Sequence, residues 1–181
     1  MKTLVIHPED ESTTFLNKVY ENIIDKVVVT GELTAKELYE MIPNFDRVMM
    51  MGHGSPYGLF NIGFKSRMGH IINHNFVDIL KDNPNNVYIW CNADQFVNKH
   101  KLKGFFSGMF VSEVGEAYYC GLPGTDQEDI DESNFDFVET VGKYGNETSK
   151  VIHENVTSEY GELAKENQVA YYNHRRLYLN E

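Results

Sequence analysis

Apolar residues along the chain fall into short blocks separated by polar, Gly- and Pro-marked breaks. Leu4-Val5-Ile6-His7, ended by Pro8, reads as a buried strand, because a continuous apolar run of this length is what a strand covered on both faces requires. Val27-Val28-Val29-Thr30, β-branched and closed by Gly31, reads as a second strand, and Arg47-Val48-Met49-Met50-Met51 as a third. Val87-Tyr88-Ile89-Trp90-Cys91 predicts a fourth, and Phe105 to Val111 contains a fifth, with Ser112 and Glu113 at its end. Between them the period changes. Leu16, Val19, Tyr20 and Ile23 recur at helical spacing, with Asp10 and Ser12 as candidate caps before them. Thr34 with Glu37 forms a capping-box pattern ahead of Leu38, Met41 and Ile42, and Pro43 stops that helix. Residues 55–72 are rich in Gly and aromatics and predict a small hairpin around Leu59 to Phe64. Phe76, Ile79 and Leu80 mark a short helix, and Ala93 to His100 a polar helix or turn.

The C-terminal part is different. Residues 126–139 carry seven acidic side chains and read as a solvated loop entering a helix, with Ser133 as its candidate cap before Phe135, Val138 and Val141. Ile152, Val156, Tyr160 and Leu163 form a last amphipathic stripe, and Tyr171 to Glu181 is expected to pack back on the body. Strands alternating with helices predict one α/β domain over 1–181: a three-layer sandwich with a mostly parallel sheet, its core in about 1–120 and a helical C-terminal extension over about 133–181.

Ligand sites on such sheets lie beyond the carboxyl ends of the strands. Those ends carry His7 with Glu9 and Asp10, then Thr30 and Gly31, then His53, then Cys91, Asn92 and Asp94, then Ser112 and Glu113. Polar groups of catalytic type are therefore expected to converge on one edge, with His53, Asp94 and Glu113 in one cleft. His53 lies between Gly52 and Gly54, which let the backbone turn and leave the imidazole approachable as a general acid or base. Cys91 reads either as a small core side chain or as a nucleophile activated by His53.

The stretch Val48-Met49-Met50-Met51-Gly52-His53-Gly54-Ser55, followed by a glycine-rich hairpin, a helix and Val87-Tyr88-Ile89-Trp90-Cys91-Asn92-Ala93-Asp94, resembles the core of the caspase-like cysteine peptidases, including the clostripain-type and CHAT members. The resemblance implies a caspase-like sheet with His53 and Cys91 as the dyad, and backbone after His53 helping to bind the oxyanion. It also implies a departure: where the family has Asn-Ala-Cys, this chain has Asn92-Ala93-Asp94. In extended chain Cys91 would then lie roughly 10 Å from the nucleophile position. Asp94 would occupy that position and pair with His53. The sequence thus leads to a degenerate site binding a peptide or small ligand through His7, Gly54, Asn92, Asp94, Ser112 and Glu113. The alternative is an active cysteine hydrolase using His53 and Cys91.

Composition narrows the partners. Of 181 residues 41% are hydrophobic, enough for one core, and nowhere do 18 apolar residues run together as a membrane span needs. Sixteen Lys and Arg against 27 Asp and Glu give a formal charge of −11, poorly suited to a phosphate backbone, so no nucleic-acid partner is expected. No leader-like N-terminal run is present, and a cytoplasmic location is expected. Two cysteines, Cys91 and Cys120, make no disulfide framework, and Cys120 reads as packing. His7, Asp10, His53, Asp94 and Glu113 are ligand-type side chains without a recognised metal spacing, so neither metal nor cofactor is assigned.

Overall fold

The computed structural model describes residues 1–8, 10–65 and 69–181. The N-terminal part runs β1 (Thr3–Ile6), a 3₁₀ turn (Glu11–Leu16), α1 (Asn17–Glu21), β2 (Lys26–Val29), α2 (Ala35–Met41) and β3 (Arg47–Met51). A small antiparallel sheet of β4 (Gly54–Ser55), β5 (Gly58–Phe60) and β6 (His70–Ile72) follows, then α3 (Val77–Leu80). Next come β7 (Val87–Ile89), α4 (Ala93–His100), β8 (Gly104–Ser107) and α5 (Val114–Tyr119). The chain ends with α6 (Gln127–Lys143), α7 (Ser149–Leu163), α8 (Gln168–His174) and β9 (Leu177–Asn180).

The main sheet has six strands in the order β2-β1-β3-β7-β8-β9. All its pairings are parallel except β8 with β9, which is antiparallel. Alternation along the strands builds two cores. Leu4, Ile6, Val48, Met50, Tyr88 and Phe106 face one layer, where Leu38 of α2, Leu80 of α3 and Phe96 of α4 cover them. Val5, Met49, Met51, Val87, Ile89 and Phe105 face the other, covered by Val19 of α1, Phe137 and Val141 of α6, Ile152 and Val156 of α7, and Ala170 of α8. This is the α/β sandwich that the uninterrupted apolar strands predict. Each fully buried Leu, Ile or Phe contributes about 1.5–3 kcal/mol of transfer free energy.

Local chemistry explains the elements, including those misread from the sequence. The Thr34–Glu37 capping box opens α2 as expected. The acidic run is no loop: α6 begins at Gln127, capped by Asp126, with Glu128 and Asp129 in its first turn, where the positive helix end favours carboxylates. Ser133 is therefore mid-helix and buried, hydrogen-bonded to Tyr160 Oη at 2.7 Å. The segment read as an extension supplies most of one helical layer and the edge strand β9. Arg47 is buried at the start of β3, where its guanidinium donates to Thr3 Oγ1 at 2.9 Å and to the carbonyls of Glu147 at 2.8 Å and Gly145 at 2.5 Å. It ties the amino end of the sheet to the α6–α7 connection. No helix among the described residues is long and apolar enough to cross a membrane.

Candidate functional site

Strand order reverses between β1 and β3, and a crevice beyond the carboxyl ends of strands at such a switch point is where open α/β sheets hold ligands. The loop after β3 is shaped by its glycines. Gly52 has φ +132°, a conformation that side chains rarely adopt. At Gly54 an added Cβ would lie 2.2 Å from Cδ1 of Trp90, so the indole occupies the space that any side chain there would need. Trp90 Nε1 also donates to the Ser55 carbonyl at 3.1 Å, fastening this loop to the end of β7. His53 is thereby held over the first turn after β1.

That turn supplies its partners. The Asp10 side chain accepts from the backbone N–H groups of Ser12 and Thr13, capping the 3₁₀ turn. Ser12 Oγ donates to Asp10 Oδ1 at 2.9 Å and lies 2.7 Å from His53 Nε2, while Asp10 Oδ2 is 3.4 Å from the same nitrogen. Since the single hydroxyl proton of Ser12 goes to the carboxylate, Nε2 of His53 is the donor to Ser12 Oγ. Burial works to raise the Asp10 carboxyl, but the hydrogen bond from Ser12, the charge of His53 and the bonds from Thr13 outweigh it and hold it below the usual range.

Cys91 sits across a small cavity of about 20 Å³ that it lines together with His53, Thr13, Phe15, Phe110 and Ser112. Its Sγ donates to the Phe110 carbonyl at 3.3 Å and lies 3.8 Å from Glu116 Oε1. Burial, then the Glu116 carboxylate, push the thiol up to about 12. Glu116 is fixed in turn, its Oε2 accepting from Ser112 N at 2.8 Å and Ser112 Oγ at 3.2 Å.

The residues expected at the site divide. His53, Cys91 and Ser112 line this cavity, and Glu113 lines an adjoining groove that also includes Ser112. Gly54 shapes the loop. His7 is fully buried beneath it, bonded to Tyr20 Oη at 3.1 Å and Thr13 Oγ1 at 3.3 Å, a strut rather than a contact surface. Asn92 takes the left-handed conformation that turns the chain into α4. The placement of Asp94 is corrected: β7 ends at Ile89, so Asp94 lies in the first turn of α4, and the carboxylate beside His53 is Asp10. Asp94 lines neither cavity. Cys91, not Asp94, is therefore the residue that shares a cavity with His53. Glu9 lies outside the described residues. Ser12 was legible only as a cap and Glu116 not at all. No cluster of three or more His, Cys, Asp or Glu among the described residues is arranged to hold a metal ion. No family model matches the chain, and a search of curated proteins found no match to it.

Proposed function

We propose that the chain binds a peptide at the carboxyl edge of its sheet, on a caspase-like scaffold whose His53 and Cys91 are not poised for turnover. One observation carries this reading: the Cys91 thiol is directed to the Phe110 carbonyl and the Glu116 carboxylate. The thiolate is the nucleophile in cysteine chemistry. A thiol pushed up to about 12 carries very little thiolate at pH 7. The nearby carboxylate opposes ionisation, and Nε2 of His53 is already engaged by Ser12 and Asp10. What remains is a cavity at the switch point with room for about one water, adjoining a groove of about 690 Å³ whose size suits part of a bound peptide.

A second reading, a cysteine peptidase, is favoured by one feature: His53 and Cys91 follow the neighbouring strands β3 and β7 and line the same cavity. Catalytic hydrogen bonds often tighten only when substrate binds. The test is to incubate the protein, and Cys91→Ala beside it, with peptide libraries carrying Arg, Lys, Asp or Asn before the scissile bond. No cleavage by either supports the binding reading. Cleavage by the wild type that disappears in Cys91→Ala promotes the peptidase.

A further inference from the structure

The small antiparallel sheet carries a nucleophile and a base that the carboxyl-edge site does not use. Ser55 of β4 has its Oγ 2.8 Å from Nε2 of His70 in β6. β5 lies between those strands, and at Gly58, opposite Ser55, it carries no side chain. A Cβ at Gly58 would lie 1.9 Å from the Ile72 carbonyl oxygen, so the glycine is what lets β5 press against β6. The Trp90 indole donates to the Ser55 carbonyl at 3.1 Å and fastens β4 to the body. The His70 ring packs against Phe60, with centroids 5.1 Å apart, and against Tyr57 at 6.4 Å.

The direction of the proton decides what this contact can do. Ser55 Oγ accepts from the Tyr57 backbone N–H at 3.1 Å. Among the described residues Nε2 of His70 is the acceptor within reach of the Ser55 hydroxyl, so Oγ donates to Nε2 and the imidazole proton sits on Nδ1. Burial lowers the His70 imidazole below the ordinary histidine range, which favours the neutral ring that accepting requires. The contact between Ser12 and His53 runs the opposite way: Ser12 gives its proton to Asp10, and His53 donates to Ser12. A serine hydroxyl bonded to a neutral imidazole is the pairing that activates a serine nucleophile. Ser55 and His70 are each half-buried, so a reagent can reach them. Tyr57, 67% exposed, adds an aromatic surface beside His70.

We infer that Ser55 and His70 form a second reactive centre, an acyl-transfer site for small aryl esters. The inference is independent of the peptide-binding reading. Oγ bonds to the ester carbonyl carbon as its proton passes to Nε2 of His70. The phenolate then leaves and takes that proton, and acyl-Ser55 remains. Water, deprotonated by the same nitrogen, adds to the acyl carbon, and departure of Oγ with return of the proton frees the acid. The test treats the full-length wild type with a biotinylated alkyl fluorophosphonate near neutral pH and maps the labelled serines by mass spectrometry. Ser55 should be labelled at least about tenfold faster than Ser12, the half-buried serine whose histidine does not take its proton. His70→Asn should slow labelling of Ser55 by about a hundredfold, the usual contribution of a general base, and 4-nitrophenyl acetate should acetylate the same serine in the wild type. A thermal melt establishes that the variant is folded. Ser55 labelled no faster than Ser12 in the wild type overturns the inference, whether or not the variant folds. So does a folded His70→Asn labelled at the wild-type rate.

Discussion

The hydroxyl of Ser12 lies 2.7 Å from Nε2 of His53, and it joins two loops that are 41 residues apart in the chain. The contact holds His53 against the turn after β1 and leaves its ring facing the cavity that Cys91 also lines. Asp10 anchors the arrangement, because it caps the turn and accepts from Ser12 Oγ at once.

Replacing Asp10 by Ala should therefore cost about 1 kcal/mol or somewhat more in urea denaturation at pH 7. Asp10→Asn should lose less, since an amide oxygen still accepts from the backbone. The sign with pH follows from the lowered carboxyl of Asp10. Its extra stabilisation is present above the ordinary carboxylate range and lost as pH falls through the lowered folded value. The gap between wild type and Asp10→Asn should narrow as pH is taken below about 4.

Iodoacetamide should label Cys91 slowly in the folded protein at pH 7, and His53→Ala should not slow it further, because the thiol is held by Phe110 and Glu116 rather than by the imidazole. Glu116→Gln removes the second cause of its raised value and should speed labelling several-fold, while burial keeps it below the rate of an unfolded control. Mass spectrometry of the alkylated peptide reads both. Rapid labelling in the wild type that His53→Ala abolishes would indicate an activated dyad instead.

Above an ordinary thiol value of about 8.5 the unfolded chain releases the Cys91 proton while the folded chain retains it to about 12. The folded state then binds more protons, so stability falls as pH rises through that window. Buried Tyr88 and Tyr160, also held above their ordinary range, act in the same direction at higher pH. Between about pH 8 and pH 10, Cys91→Ala should lose less stability than the wild type. Parallel losses would mean that the thiol is exposed in the folded chain.

At the opposite end of the sheet, Arg47→Met should lower stability by about 2–4 kcal/mol, since it strips donors from Thr3 Oγ1 and from the carbonyls of Gly145 and Glu147 in a buried place. Burial already pushes this guanidinium down to about 10, so the cost of holding it there is met by those bonds. Peptide binding at the distant carboxyl edge should be unaffected, as anisotropy would show.

The strands were legible because burial on both faces leaves an uninterrupted apolar run, as in Val5 and Met49 facing one layer and Leu4 and Met50 the other. Their ends were not. Trp90 and Cys91 prolong the apolar run past Ile89, where ladder pairing stops, and that moved Asp94 onto the sheet edge. Likewise Phe110 and Val111 lie beyond β8, which closes at Ser107. Strand-end logic put His53 after β3, Cys91 after β7, and Ser112 and Glu113 after β8, and these residues line the small cavity or the groove beside it. Ser12 beside His53, and Glu116 beside Cys91, depend on how distant loops meet, and no local pattern encodes that. Asp126 displaced Ser133 as the cap of α6 because both are residue types that favour caps, and packing against Tyr160 decided between them.

The central claim is that peptide docks at the carboxyl edge without being cut. The most direct measurement adds an unlabelled extended peptide to ¹⁵N-labelled wild-type protein and follows amide shifts and peptide integrity in the same sample. The account predicts saturable shifts at His53, Ser112 and Asn134, little change near Arg47, and intact peptide throughout. Peptide cut by the wild type and spared by Cys91→Ala, or shifts that avoid the carboxyl edge altogether, would contradict it.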